Sequence, residues 1–177
     1  MARFDKSLVA VTSRSFSTNQ FLVKKLKESY PNVSLNLTGK TLKENELVKF
    51  LANADKAIVG IEIIDKDILD QLPKLKLISK YGVGLNNLDL DECKKRNIQI
   101  KFQPGSNKQS VAEFTLLLML NSLRQVHNNK TEIIEGNWTQ AKGQELKGKK
   151  IGIIGFGNIG SCLVSLLKPF GLSLIHI

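Results

Sequence analysis

The 177-residue sequence contains two cysteines, Cys93 and Cys162, far apart and outside any C-x-x-C spacing. That excludes a disulfide framework and a structural zinc site. Its two histidines, His127 and His176, have no second ligand at metal spacing, so no metal is expected. No apolar run reaches the roughly 18 residues that a membrane span needs, since the longest candidate, Phe114 to Leu120, is broken by Asn121 and Ser122. Arg3, Asp5 and Lys6 precede any apolar run, an order foreign to a signal peptide or anchor. The expectation is a soluble, cytoplasmic protein.

Arginine is also scarce. The net charge is +10, yet only Arg3, Arg14, Arg96 and Arg124 among the 26 basic residues are arginine. The lysines are spread along the chain without the arginine and aromatic interleaving of a nucleic-acid surface. The residues therefore describe a solvated lysine-rich surface, and no nucleic-acid partner is expected. The positive field favours an anionic cofactor or substrate.

What is abundant is alternation. "LVAVTS" (8–13), "VSLNL" (33–37), "KAIVG" (56–60), "LKLISKYG" (75–82) and "IQIKF" (98–102) are rich in Val, Ile and Leu and read as strands. Between them, "TNQFLVKKLKESY", "TLKENELVKFLANA", "DKDILDQL" and "DLDECKKRN" carry apolar residues at three- and four-residue spacing, as amphipathic helices do. Strand and helix in repeated alternation predict an α/β fold with a parallel sheet covered on both faces. Thr41 with Glu44, and Ser110 with Glu113, have the spacing of capping boxes. The run from Val111 to Leu123 is apolar nearly all round and predicts a helix buried between two bodies. A domain boundary is expected just before it, near Pro104 and Gly105. Residues 128–148 are polar around a lone Trp138 and read as an excursion before the next strand, with the character of an oligomer arm.

The sharpest motif is Gly155-Phe156-Gly157-Asn158-Ile159-Gly160, a G-x-G-x-x-G between a strand at "KIGII" (150–154) and a helix at "SCLVSLLKPF" (161–170). Gly155 would make the tight turn, Gly157 would admit a pyrophosphate to the backbone, and Gly160 would let helix and strand pack closely. The phosphates would meet the free N–H groups of the helix. A Walker phosphate loop is excluded, because Ser161 stands where that motif has lysine. The fingerprint expects an acidic ribose-binding residue about 20 positions on. The chain reaches its last residue inside that second strand, "LSLIHI".

From Pro73 to Gly171, "LKLISKYGVGLNNLDLDECKKRNIQI", "PGSNKQSVAEFTLLLML", "GNW" and "GKKIGIIGFGNIG" follow one another in order. By these motifs the sequence resembles the N-terminal part of a D-isomer-specific 2-hydroxyacid dehydrogenase, nearest the phosphoglycerate dehydrogenase-like branch. The resemblance implies a flavodoxin-like substrate domain over residues 1–104. It also implies the incomplete start of a Rossmann NAD-binding domain over 105–177, truncated within its second strand. Gly82, Val83 and Gly84 match the family loop whose main-chain amides receive the substrate carboxylate. Ser110 and Val111 match positions on the nicotinamide side, while Gly155, Gly157, Asn158, Ile159 and Gly160 match the pyrophosphate turn. Asn86 replaces the more usual aspartate. The implied cofactor is NAD or NADP, and the implied small-molecule partner a 2-hydroxy or 2-oxo acid. The family's histidine acid/base, its carboxylate partner and its substrate-clamping arginine have no matching positions here. His127 and His176 fit neither motif nor order, and Arg124 ends a helix whose dipole it complements. No catalytic residue is therefore assigned, and the expectation is a chain inactive alone. A non-catalytic module pairing with a second copy or a complementing chain is the other reading.

Overall fold

The computed structural model describes residues 5–139 and 141–176. It divides between Pro104 and Gly105 into two units. In the first, β1 (Val9–Val11), β2 (Val33–Leu35), β3 (Lys56–Val59), β4 (Leu77–Lys80) and β5 (Gln99–Lys101) form one sheet in the order β2-β1-β3-β4-β5. Every pairing is parallel. The connections carry α1 (Arg14–Ser17), α2 (Gln20–Ser29), α3 (Glu44–Leu51), α4 (Lys66–Asp70) and α5 (Leu90–Lys95). This is the flavodoxin-like strand order, whose direction of growth reverses between β1 and β3.

The central strands need no polar face. Val9, Ala10 and Val11 are all buried, as are Ala57 and Val59 of β3 and Ile78 of β4. Leu47 and Leu51 of α3, Ile68 and Leu69 of α4, and Cys93 of α5 pack with them in one cluster. Burial pushes the Cys93 thiol up from its ordinary value, which keeps it an inert core residue. Four helices of this unit start on a side-chain cap: Ser13 accepts from Phe16 N–H, Asn19 from Leu22 N–H, Asp65 from Ile68 N–H and Asp89 from Glu92 N–H.

The Thr41 and Glu44 capping box does not form. The helix begins at Glu44, its N-cap is Lys43 with no side-chain bond, and Glu44 itself has φ of 44°. Leu42 is the reason: it is drawn into the core, so the chain turns inward before the helix starts.

The second unit contains α6 (Lys108–Arg124), α7 (Val126–Ile134), β6 (Lys150–Ile153), α8 (Asn158–Leu167), a 3-10 turn (Lys168–Phe170) and β7 (Ser173–His176). β6 and β7 pair in parallel. Ala112, Leu116, Met119, Leu120 and Leu123 of α6 share a cluster with Leu163, Leu166 and Leu167 of α8. Ser110 and Glu113 make no capping box either, because the helix starts earlier. Ser110 Oγ donates to the Asn107 carbonyl inside the first turn, and Glu113 accepts from Gln109. The expected all-round burial of α6 is not what the structure has. One face packs on α8, while Phe114 is 58%, Leu117 56% and Leu118 49% exposed. The polar stretch after α6 is helical over Val126–Ile134, separated from it by Gln125 in the left-handed conformation. Trp138 is exposed.

Ile78 is fully buried on β4, an internal strand of the five-stranded sheet. Ile78→Ala removes core volume that rigid neighbouring strands cannot refill, so it should destabilise the first unit by about 2–5 kcal/mol. Urea unfolding followed by far-UV circular dichroism measures this.

Candidate functional site

In an open parallel sheet, ligands bind beyond the carboxyl ends of the strands, beside the point where strand order reverses. Here that edge carries Thr12 and Ser13 after β1, Gly60 to Glu62 after β3, and Tyr81 to Gly84 after β4. Gly82 has φ of 147°, a conformation that L side chains rarely adopt. At Gly84 a Cβ would stand 3.2 Å from Asn86 Oδ1, so the Asn86 side chain lies against the loop at that glycine. The loop is sewn to the end of β3. Tyr81 N–H donates to the Val59 carbonyl at 2.8 Å, Ile64 N–H to Asn87 O at 2.8 Å, and Asp89 N–H to Ile64 O at 2.9 Å.

A group of polar side chains that sequence reasoning missed stands around this loop. Glu62, only 2% exposed, accepts from the Thr12 hydroxyl at 2.8 Å and from Gly60 N–H at 2.8 Å. The Lys80 ammonium donates to Gly60 O and, at 2.8 Å, to Asn87 Oδ1. Asn87 Nδ2 donates to the carbonyls of Gly60 and Glu62. Burial lowers the Lys80 pKa, and the Glu62 charge partly offsets that. Beside the loop, Tyr81 lines a cavity of about 410 Å³ with Ser13, Arg14, Gly60 and Glu62. The signal in the sequence was a glutamate inside the apolar run "IVGIEII", a charge with no place in a core unless it is bonded.

The glycine motif adopts the geometry its three positions require. Gly155 has φ of 90°. Gly157 is the N-cap of α8, and the space where its Cβ would point is open. A Cβ at Gly160 would lie 2.4 Å from the Gly155 carbonyl oxygen, so only glycine permits this approach of helix to turn. No side chain caps α8, which leaves its first N–H groups to an outside acceptor. Asn158 packs on Gly105, where a Cβ would come within 2.9 Å of its Cγ. Ile159 is partly exposed at the start of the same helix. The open side of Gly157 and the uncapped helix end fit a pyrophosphate.

Ser110 and Val111 lie in the first turn of α6, and the Ser110 hydroxyl is used within that turn. His127 is on the exposed α7, with its carbonyl accepting from Thr131. His176 is paired by register with Ile153 in the two-stranded sheet. Arg124 ends α6 and lies against Gly143, where a Cβ would stand 2.9 Å from its Nε. Among the described residues, no three His, Cys, Asp or Glu side chains gather as metal ligands, and no helix is long and apolar enough to cross a membrane.

A flavodoxin-like sheet with a glycine loop beyond its strand ends, and a G-x-G-x-x-G turn between strand and helix, define an α/β protein of two units. Residues 9–163 match the family model described as D-isomer specific 2-hydroxyacid dehydrogenase, catalytic domain, and the chain belongs to that family. It is similar to a hydroxypyruvate reductase of Thermotoga maritima, 35% identical over 144 residues that cover 80% of this chain and 47% of the relative. It is also similar to a D-3-phosphoglycerate dehydrogenase of Methanocaldococcus jannaschii, 34% identical over 138 residues, 76% of this chain and 26% of the relative. Among solved structures, an NAD-dependent formate dehydrogenase from Staphylococcus aureus in complex with NAD superposes with a TM-score of 0.78. That pair is 27% identical, and the match covers 96% of this chain and 55% of that one. The chain thus spans about half or less of the length of these relatives.

Two glycine substitutions separate fold from binding. Gly160→Ala drives a Cβ into the Gly155 carbonyl, and should lower the melting temperature of the second unit by several degrees. Gly157→Ala, at an ordinary negative φ and facing open space, should leave melting within about a degree of the parent. Calorimetry of the two variants measures both.

Proposed function

We propose that residues 1–177 supply the substrate-carboxylate loop and the pyrophosphate turn of an NAD(H)-dependent dehydrogenase of the phosphoglycerate dehydrogenase-like branch. The reaction interconverts a D-2-hydroxy acid and its 2-oxo acid. The observation that carries this reading is the division of labour among Gly155, Gly157 and Gly160: a left-handed turn, an open face and a forced close approach. When bound, the nicotinamide supplies and accepts the hydride.

The chain's own residues do the holding. The amides of Gly82, Val83 and Gly84 receive the substrate carboxylate, for which a strand-end loop without side chains at two of three positions gives close approach. The turn at Gly155, Gly157, Asn158, Ile159 and Gly160 receives the pyrophosphate, and Ser110 and Val111 flank the nicotinamide. Residues 1–104 act as the substrate domain, and 105–177 as the first part of the cofactor domain. The family's acid/base histidine, its carboxylate and its clamping arginine have no counterpart among these residues. This polypeptide alone therefore binds without turnover. A second reading, pairing with a second copy or a complementing chain, is favoured by Ile154, 88% exposed beside β6, and by the uncovered apolar face of α6.

Titration with NADH, followed by nicotinamide fluorescence, is the test. The expected result is saturable binding that Gly157→Ala weakens by about tenfold or more, with no reduction of a panel of 2-oxo acids. Absence of binding to the folded chain would overturn the pyrophosphate reading, and turnover would overturn the assignment of proton transfer to residues outside 1–177.

A further inference from the structure

Lys80 is a charged residue where a strand end needs none. It is the last residue of β4, partly buried, and its ammonium points beneath the glycine loop instead of into water. A Cβ at Gly82 would stand 3.5 Å from Lys80 Cε and 4.0 Å from Nζ, so the amine lies directly against the loop's first glycine. Its two bonds are unusual in what they join. Gly60 O belongs to the end of β3, while Asn87 Oδ1 belongs to the chain just after the loop. Lys80 itself precedes the loop. One ammonium thus ties together the residue before the loop, the residue after it and the neighbouring strand end.

The tie continues. Asn87 Nδ2 donates to Gly60 O at 3.3 Å and to Glu62 O at 2.6 Å, and the Glu62 carboxylate accepts from Gly60 N–H and from Thr12 after β1. The ends of β1, β3 and β4 are therefore fixed to one another through five side and main chains. Packing alone does not explain the arrangement, because an apolar residue at position 80 would avoid the desolvation of an ammonium. Its charge lies where a carboxylate held by the loop amides would feel it, in surroundings less screened than open water.

We propose that Lys80 is the positioning residue of the Gly82–Gly84 loop: its ammonium fixes both ends of the loop to β3 and sets a positive charge beneath the amides that take the substrate carboxylate. The inference rests on the carboxylate-loop reading above. Glu62 is the charged group whose field reaches Lys80, and Tyr81 is its neighbour in the chain. Because burial lowers the Lys80 pKa, the charge and its ties are lost at a pH below the ordinary lysine value. Over that same range the unfolded chain binds more protons than the folded one, so global stability from this group rises with pH while the loop loosens. The opposite signs separate a positioning role from a merely structural one.

The test uses amide NMR on the 177-residue chain, with pyruvate as the carboxylate probe. In the parent, pyruvate should shift the Gly82, Val83 and Gly84 amides saturably. Lys80→Met should weaken pyruvate by about tenfold and speed hydrogen exchange across residues 81–87, leaving exchange in β1 unchanged. Lys80→Arg should keep affinity within about threefold and abolish the alkaline loss of binding, since guanidinium does not titrate there. The alkaline titration is repeated in Tyr81→Phe, where the loss should persist. If Lys80→Met fails to fold, Asn87→Ser removes the Nδ2 bonds and should loosen the same loop. Loop exchange and pyruvate affinity within twofold of the parent in Lys80→Met would overturn the proposal. If pyruvate shifts no loop amide in the parent, while Lys80→Met still speeds loop exchange, the carboxylate reading fails and the charge half of the proposal with it.

Discussion

The parallel pairing of β1 with β3 governs the first unit, because β2 is added on one side of β1 and every later strand on the other. At that reversal the loops leaving neighbouring strands diverge, and a crevice opens between Ser13 and Gly60. Gly60 sits so close to Ser13 that a Cβ there would come within 3.2 Å of its Cβ. The crevice floor is therefore made of main chain and small groups, and the larger side chains, Arg14 and Tyr81, are left to its walls. Register follows from the same constraint: with Val9, Ala10 and Val11 all buried, β1 has no polar face to turn outward.

In the second unit the equivalent constraint is steric. The carbonyl of Gly155 and the first turn of α8 occupy space that a methyl group at Gly160 would need. That contact fixes the angle between strand and helix, and Leu163 and Leu167 then meet Ala112 and Leu116 of α6. Gln144 N–H donates to Leu123 O at 2.9 Å, and so returns the chain across the end of α6 before β6 begins.

Periodicity made the five strands and four of the five helices of the first unit readable, since burial on a parallel sheet writes itself into continuous Val, Ile and Leu runs; the short α1 at Arg14–Ser17 is the one it missed. It could not locate helix starts. Thr41 and Glu44 have the right spacing, but the burial of Leu42, a tertiary effect, outweighed the local cap. Asn107 starts α6 without any side-chain bond, which no capping rule anticipates. The glycine turn was legible because glycine is chosen there for backbone reasons that are local. The polar group under the Gly82–Gly84 loop was not, since Thr12, Glu62, Lys80 and Asn87 are scattered over 76 positions of sequence and meet only when three strand ends are brought together.

The exposed row of Phe114, Leu117 and Leu118 on α6 belongs to a molecule carrying a net charge of +10. Two copies approaching through that row bring like-charged lysine surfaces with them, and the repulsion acts over about 10 Å at 0.1 M salt. Hydrophobic attraction acts only once water is expelled at contact. Colloidally, the lysines form a long-range barrier in front of a short-range adhesive. Ionic strength, which thins the first without weakening the second, sets how often the adhesive is reached.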